Sequence, residues 1–319
     1  MKAVACYRPG PPEVMEIIEV DKPLPRDSEV LVKIHASAVT AVDTSYRRPV
    51  GNISEGKPRL RRLGYYFAGE VEDVGRKVTK FKKGDSVYGG DVWSPGAYAE
   101  YKCLKENGIM ARKPANISYE EAVTIPYGGT TALPFLRTVG RIKAGKKVLV
   151  IGASGGIGII AVQLARYFGA EVTGSCSTAG VEMVKSLGVI EVIDYSQEDF
   201  TRNGEKYDII FDTPAKSSFS QCRNSLTKNG KYLTTVPWPR VLLQMFRTPV
   251  TSRKKAIFAP MGTRPPFTKR KDLEYLNELI ENGHIKPVVD RVFPLEQIVE
   301  AHRYAENEPK KGNIVISIA

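Results

Sequence analysis

The sequence predicts an α/β protein in two parts, a doubly wound parallel sheet and an irregular antiparallel barrel. Three observations carry this. From about residue 128 onward, short apolar runs alternate with segments of helical period, the rhythm of repeated βα units. One junction in that series is a knot of glycines, Gly152, Gly155, Gly156 and Gly158. Residues 1–125 read instead as strands and turns without βαβ alternation. The length, 319 residues, suits two hydrophobic cores better than one.

The first part begins with a strand over 29–34, after the proline-rich turn at 23–27. A second strand runs over 67–74 and stops at Gly75. A third, 87–89, follows the Gly84-Asp85 turn, and 98–101 reads as a further short strand. Two stretches rich in proline and basic residues, 47–62 and 104–118, are expected to be loops.

In the second part, 147–151 is an apolar strand. Ile157, Ile160, Ala161, Leu164, Ala165 and Phe168 then recur at helical spacing, and Gly169 stops the helix. Strands follow at 171–175, 189–193, 207–211 and 231–236, with helices at 181–187, 196–203 and 217–228. The apolar run 237–253, with Val241, Leu242, Leu243, Met245 and Phe246, is expected to flank a substrate cleft or a dimer edge. Leu273, Leu276, Leu279 and Ile280 mark a helix closed by Asn282-Gly283. A last helix spans 295–306 and a last strand 313–318.

Composition narrows the function. The chain is 42% hydrophobic and 26% charged, which disfavours disorder. Lys and Arg outnumber Asp and Glu 47 to 35, giving +12. Basic residues cluster at Lys77, Lys80, Lys82 and Lys83, at Arg253-Lys254-Lys255 and at Lys269-Arg270-Lys271, read as solvated surface. No RNA-recognition, zinc-finger or basic-zipper pattern accompanies it, so no nucleic-acid partner is expected. The four cysteines show neither a C-x-x-C clip nor zinc spacing and read as reduced thiols of a cytoplasmic protein. The opening residues carry too short an apolar run for a signal peptide. Residues 148–165 lack charge over nearly a membrane span, but the glycines split them into strand and helix, so no transmembrane segment is expected.

The chemistry resides in the glycine knot. A diphosphate needs backbone amides at a helix N-terminus with no side chains in the way. Ala153, Ser154, Gly155, Gly156, Ile157 and Gly158 supply that pattern between an apolar strand and an apolar-striped helix, the context the Rossmann fingerprint demands. The competing reading is a glycine turn without a ligand. Cofactor choice is read at the end of the second strand, where an NAD enzyme usually places an acid. Here 173–178 has none, and no acid appears before Glu182. The hydroxyls of Ser177 and Thr178 suit a 2′-phosphate, so the cofactor is expected to be NADPH; Lys185 and Tyr195 are further contacts. The competing reading is a polar turn with no cofactor role.

At this point the chain resembles the medium-chain dehydrogenase/reductase superfamily, in its zinc-free quinone-oxidoreductase-like branch. The resemblance rests on the order of Val39-Thr40-Ala41-Val42-Asp43, Phe67-Ala68-Gly69-Glu70-Val71, Phe81-Lys82-Lys83-Gly84-Asp85, Gly96-Ala97-Tyr98-Ala99-Glu100-Tyr101, Gly128-Gly129-Thr130-Thr131-Ala132, the nucleotide loop and Lys311-Gly312-Asn313-Ile314-Val315. It implies a chaperonin-10-like (GroES-like) irregular β-barrel at 1–125, completed by 263–319, and a Rossmann domain at 126–262. It places Thr131 near the nicotinamide, Ser177 and Tyr195 near the 2′-phosphate, and Asn313 near the cofactor. It makes a homodimer plausible.

The chain departs from its zinc-dependent relatives. Thr40 stands where they carry Cys, and Tyr65-Tyr66 where they carry His-Glu. Hydroxyls do not replace thiolate and imidazole as zinc ligands, so no metal is expected. Many zinc-free relatives carry Asn at the Thr40 position. After the 207–211 strand relatives often have a glycine, and here the run is Asp212-Thr213-Pro214-Ala215.

A hydride acceptor without a Lewis acid must already be polarised. The expected reaction is NADPH-dependent reduction of quinones or activated C=C bonds, in enones and 2-alkenals. Tyr46, Tyr65 and Tyr66 are candidate acids or oxygen-holding donors, and ordinary packing is the competing reading of each. Thr40 and Asp43 are expected to help position the substrate, Asp43 more as a turn anchor than as a base. Alternatives are a zinc-free alcohol dehydrogenase, an enoyl-thioester reductase, and a non-catalytic protein that senses NADPH or binds nucleic acid.

Overall fold

The structure, a computed structural model, describes residues 1–48, 62–236, 245 and 253–318. It divides into two units. One comprises Met1–Tyr127, Pro265–Glu308 and Gly312–Ala319, and the other Gly128–Arg264 and Pro309–Lys311.

The first unit opens with a hairpin of β1 (Lys2–Cys6) and β2 (Met15–Glu19). Its main sheet is built on β3 (Glu29–Val39), which leads into helix α1 (Ala41–Arg47). One edge of β3 pairs antiparallel with β4 (Tyr66–Val74), which pairs with β5 (Ser86–Gly90). The other edge is shared. Residues 29–33 pair with β6 (Tyr101–Lys105), and residues 36–39 pair with a C-terminal strand described below. Two register shifts along the β3–β4 ladder bend the sheet toward a barrel. Gly69 is required there, because a Cβ would lie 2.1 Å from the Lys33 carbonyl oxygen. The core gathers Val30, Val32, Ile34, Phe67, Val71 and Val87 from alternating positions on these strands.

Next come β7 (Met110–Arg112), which pairs with β5, and the short helix α2 (Tyr119–Ala122). Helix α3 (Ile125–Pro134) carries the chain from the first unit into the second.

The second unit holds β8 (Lys147–Ile151), α4 (Gly156–Tyr167), β9 (Glu171–Cys176), α5 (Val181–Ser186), β10 (Glu191–Asp194), β11 (Tyr207–Asp212), α6 (Phe219–Cys222), β12 (Leu226–Thr234) and β13 (Lys255–Phe258). All six strands are parallel, in the order β10-β9-β8-β11-β12-β13. That is the doubly wound Rossmann order, with the first strand central. Strands of a sheet covered on both faces read as apolar runs, and Val148, Leu149 and Val150 are fully buried. Residues Ile157 to Ala165 of α4 are all buried, and Gly169 closes the helix at φ 76°.

The first unit is completed by α7 (Pro266–Glu281), β14 (Val289–Pro294), α8 (Ile298–Asn307) and β15 (Asn313–Ser317). β15 pairs antiparallel with β3 and parallel with β14, so the chain's end extends the barrel sheet, as the GroES-like fold requires. Among the described residues no helix is long and apolar enough to cross a membrane.

Several expected elements differ. Of the strand expected at 98–101, only Tyr101 is in one, as the start of β6; Ala99 makes a single bridge to Ala3. The loop expected at 104–118 contains the end of β6 and all of β7, because the β5 edge recruits a stretch too short to show a period. Of the loop expected at 47–62, residues 49–61 lie outside the described residues. Residues 196–203 are not helical. The carboxylates of Asp194 and Asp199 accept the N–H groups of Ser196 (3.0 Å) and Thr201 (2.9 Å), and these side-chain turns compete with a helix. The helix expected at 217–228 is cut to α6 and one 3-10 turn, and β12 begins five residues before 231. Most of the apolar run 237–253 lies outside the described residues. Lys269 is not solvated surface; its side chain is 4% exposed and pairs with Asp91 at 2.9 Å.

Candidate cofactor and substrate residues

The loop between β8 and α4 is shaped by contacts only glycine permits. Gly152 sits at φ 76°, and its absent Cβ leaves room for Pro214, whose Cδ would be 2.8 Å away. A Cβ on Gly158 would lie 2.0 Å from the Gly152 carbonyl oxygen, so α4 can press against the loop only there. The N–H groups of Gly152 and Ala153 bond to the Ser175 carbonyl at 2.9 Å, tying the loop to the end of β9. Gly155 caps α4, and the first-turn amides of Gly156, Ile157 and Gly158 precede the helical ladder. Bare amides at the positive end of a buried helix fit a diphosphate.

Other expected cofactor residues gather unevenly. A Cβ on Gly128 would lie 2.2 Å from the Gly156 carbonyl oxygen, so α3, which carries Thr131, packs on the start of α4. Ser154 is buried beneath Gly180. Ser177 stands at the N-cap of a 3-10 turn at the end of β9. Tyr195 is 62% exposed, and its N–H bonds to the Cys176 carbonyl at 3.1 Å. Lys185 pairs instead with Glu182 on the outside of α5, at 2.9 Å. Asn313 lies in the other unit, where its side-chain amide donates to the Val288 carbonyl at 3.0 Å.

Sequence reasoning missed Asp194. Pairing of β10 with β9 sets it opposite Cys176. Its carboxylate accepts the hydroxyls of Thr178 and Ser196, each at 2.6 Å, and these bonds hold it below the usual carboxylate range. An acid therefore stands at the end of the second strand after all, supplied by the third. The one sequence signal was its position at the end of a strand.

In the first unit, α1 explains Thr40 and Asp43. Thr40 is the N-cap and Asp43 the third helical residue, a capping box. Asp43 Oδ2 accepts the Thr40 N–H at 2.9 Å and the Thr40 hydroxyl at 2.6 Å, while Oδ1 accepts the Gly64 N–H at 2.9 Å. Asp43 is fully buried, and burial pushes its acid up to about 6 against the hydrogen bonds that lower it. The rings of Tyr46 and Tyr65 lie 5.5 Å apart, the first half-exposed and the second buried. Tyr66 packs against Tyr127, and burial holds its phenol well above the ordinary range.

Behind this group runs a buried network that joins residues distant in sequence. Tyr98 OH faces His302 Nε2 at 3.3 Å, and Arg47 Nε donates to His302 Nδ1 at 3.3 Å. The terminal nitrogens of Arg47 donate to the Gly10 carbonyl and to Glu306. Burial first, and then the Arg47 charge, lowers His302 to about 3, so its ring is neutral.

Two family models match. An alcohol dehydrogenase GroES-like domain covers residues 26–115, and a zinc-binding dehydrogenase domain covers residues 187–316. The second name raises the question of zinc. Hydroxyls occupy positions 40, 65 and 66. Among the described residues, no three His, Cys, Asp or Glu come together in a way that could hold a metal ion. The hydroxyls at those three positions do not fit zinc.

The chain is 32% identical to the chloroplast envelope quinone oxidoreductase homolog of Arabidopsis thaliana, over 95% of this chain and 93% of that one. It is 32% identical to 2-methylene-furan-3-one reductase of Solanum lycopersicum, over 99% of this chain and 79% of the relative. The solved quinone oxidoreductase of Coxiella burnetii superposes with a TM-score of 0.86 at 27% identity, covering 100% of this chain and 99% of that one. The chain belongs to the medium-chain dehydrogenase/reductase superfamily, in its quinone-oxidoreductase-like branch, and is an oxidoreductase.

Proposed function

We propose that this protein is an NADPH-dependent reductase of quinones or activated C=C bonds in enones and 2-alkenals. The cofactor is a nicotinamide dinucleotide; its phosphorylated form is our reading. The β8–α4 loop carries the proposal, because its glycines leave amides bare at the start of a buried helix. Two relatives named for quinone and furanone reduction support the substrate class.

The loop residues Ala153 to Gly158 would hold the diphosphate, Thr131 the nicotinamide end, and Ser177 with Tyr195 the adenosine end. Bound there, the cofactor supplies a hydride. Thr40, Tyr46 and Tyr65 are the groups we assign to the substrate oxygen. Lys185, Thr178 and Asn313 are weaker assignments, because each already has a partner within its own unit. A cytoplasmic location agrees with the thiols of Cys103, Cys176 and Cys222, and a homodimer is to be tested by sedimentation.

The test is cofactor oxidation with a quinone, a 2-alkenal, an enoyl thioester and a simple ketone. Turnover of the first two is expected, and turnover of the ketone alone would overturn the proposal. A second reading, use of NADH, is favoured by one observation. Asp194 takes the Thr178 hydroxyl that would otherwise serve a 2′-phosphate, and a carboxylate there suits a ribose diol.

A further inference from the structure

Thr40 and Asp43 hold more information than a capping box needs. A hydroxyl has one proton. With Asp43 ionised, the Thr40 proton lies on the 2.6 Å line to Oδ2, and Thr40 presents only lone pairs elsewhere. With Asp43 protonated, the bond reverses. The acid O–H donates to Thr40 Oγ1, and the Thr40 proton is released to another acceptor.

The groups around Asp43 leave it free to change charge. Tyr98 donates to it from the segment before β6, and Tyr66 faces it from the start of β4. Tyr127 faces it from α3. All are neutral phenols. The nearby cation, Arg47 on α1 itself, is bound to Gly10, His302 and Glu306. His302 of α8 stands behind Tyr98 and is neutral. Burial disfavours the carboxylate, and the Thr40, Gly64 and Tyr98 donors favour it, so the two forms lie close in free energy.

We propose that Asp43 is a positioning residue that sets the direction of the Thr40 hydrogen bond, making Thr40 a donor to substrate oxygen when Asp43 is protonated and an acceptor when it is ionised. The proposal rests on the reading that Thr40 meets the substrate. Hydride addition to a quinone or enone moves a π pair onto oxygen and creates an oxyanion. The Thr40 proton passes to that oxygen, the Asp43 proton passes to Thr40 Oγ1, and Asp43 remains as carboxylate until water reprotonates it. One hydride and one proton enter the substrate, so charge and atoms balance.

The experiment has two readouts. In protein labelled with 13C at the aspartate carboxyls, one carbon absent from Asp43→Asn should titrate near pH 6. Its midpoint should move in Thr40→Val. In steady-state kinetics with a quinone, kcat/KM should fall about tenfold per pH unit above that midpoint. Asp43→Asn should flatten the profile, because an amide has no proton to lose over this range. Thr40→Val should be slow and flat, and Thr40→Ser should restore the slope. A slope that survives in Asp43→Asn, or no carboxyl titrating near 6, overturns this inference alone. Thr40→Val with unchanged kcat/KM at every pH overturns the reading that Thr40 meets the substrate, and the inference with it. If melting curves show Asp43→Asn unfolded, wild type against Thr40→Val decides by the same carboxyl signal and slope.

Discussion

A methyl group added at residue 158 would lie 2.0 Å from the Gly152 carbonyl, while one added at Gly155 would meet nothing closer than 3.5 Å. The two glycines therefore have different reasons to be there. Gly158 is a packing glycine. Gly155, at φ −90°, is open enough for alanine, and on the proposed function it is bare for a ligand's sake. Gly158→Ala should lower stability by roughly 1–3 kcal/mol and lose cofactor binding. Gly155→Ala should keep its melting temperature and still weaken the cofactor at least about tenfold, seen by calorimetry. Equal melting losses in both would remove the distinction. Asp194 makes the second residue-scale prediction. Replacing it with Asn frees the Thr178 and Ser196 hydroxyls from a charge, so the ratio of kcat/KM for NADPH over NADH should rise by about tenfold or more. A ratio that falls would show that Asp194 does not govern the choice.

Helix α4 and the Arg47–His302 network show how elements are secured. Leu164 is fully buried where α4 covers the parallel sheet. Leu164→Ala should cost about 2–5 kcal/mol in denaturant unfolding, and a cost near zero would contradict the packing. The network tying α1 to α8 gives a pH dependence whose sign follows from the shifts. His302 falls from 6.5 to about 3 on folding, so its neutral form contributes stability above pH 6.5 that is lost as pH falls toward 3. Asp43 rises from 3.8 to about 6 and acts oppositely, contributing stability below 3.8 that is lost as pH rises through 6. The histidine shift is larger, so the pair makes the protein acid-labile. His302→Gln cannot titrate, and its melting temperature should fall less than wild type between pH 6.5 and 4. A fall as steep as wild type would assign the lability elsewhere.

For the whole molecule, the +12 charge is not shared. The second unit carries 21 Lys and Arg against 9 Asp and Glu, while the first carries 26 of each. All the excess therefore lies on the unit with the β8–α4 loop. A cationic surface raises the local concentration of an anion and is screened by salt over about 8–10 Å. The association rate for the more highly charged NADPH should fall more steeply with ionic strength than that for NADH, measured by stopped-flow fluorescence. Equal slopes would make the charge irrelevant to cofactor capture.

The sequence by itself determined the Rossmann unit. Its signals are local: an apolar strand, glycines at the turn, and a buried stripe on α4, each legible within about a dozen residues. It also determined that positions 40, 65 and 66 carry hydroxyls. Tertiary structure alone decided the rest. Asp194 reaches Thr178 across 16 residues because two strands align, and Arg47 reaches His302 across 255 residues because α8 packs beside α1. No period or motif records such pairs, since burial and chain return, not local propensity, bring them together. The same holds for β13, hidden in a basic run, and for the turns at 196–203, where two aspartates outbid a helical pattern.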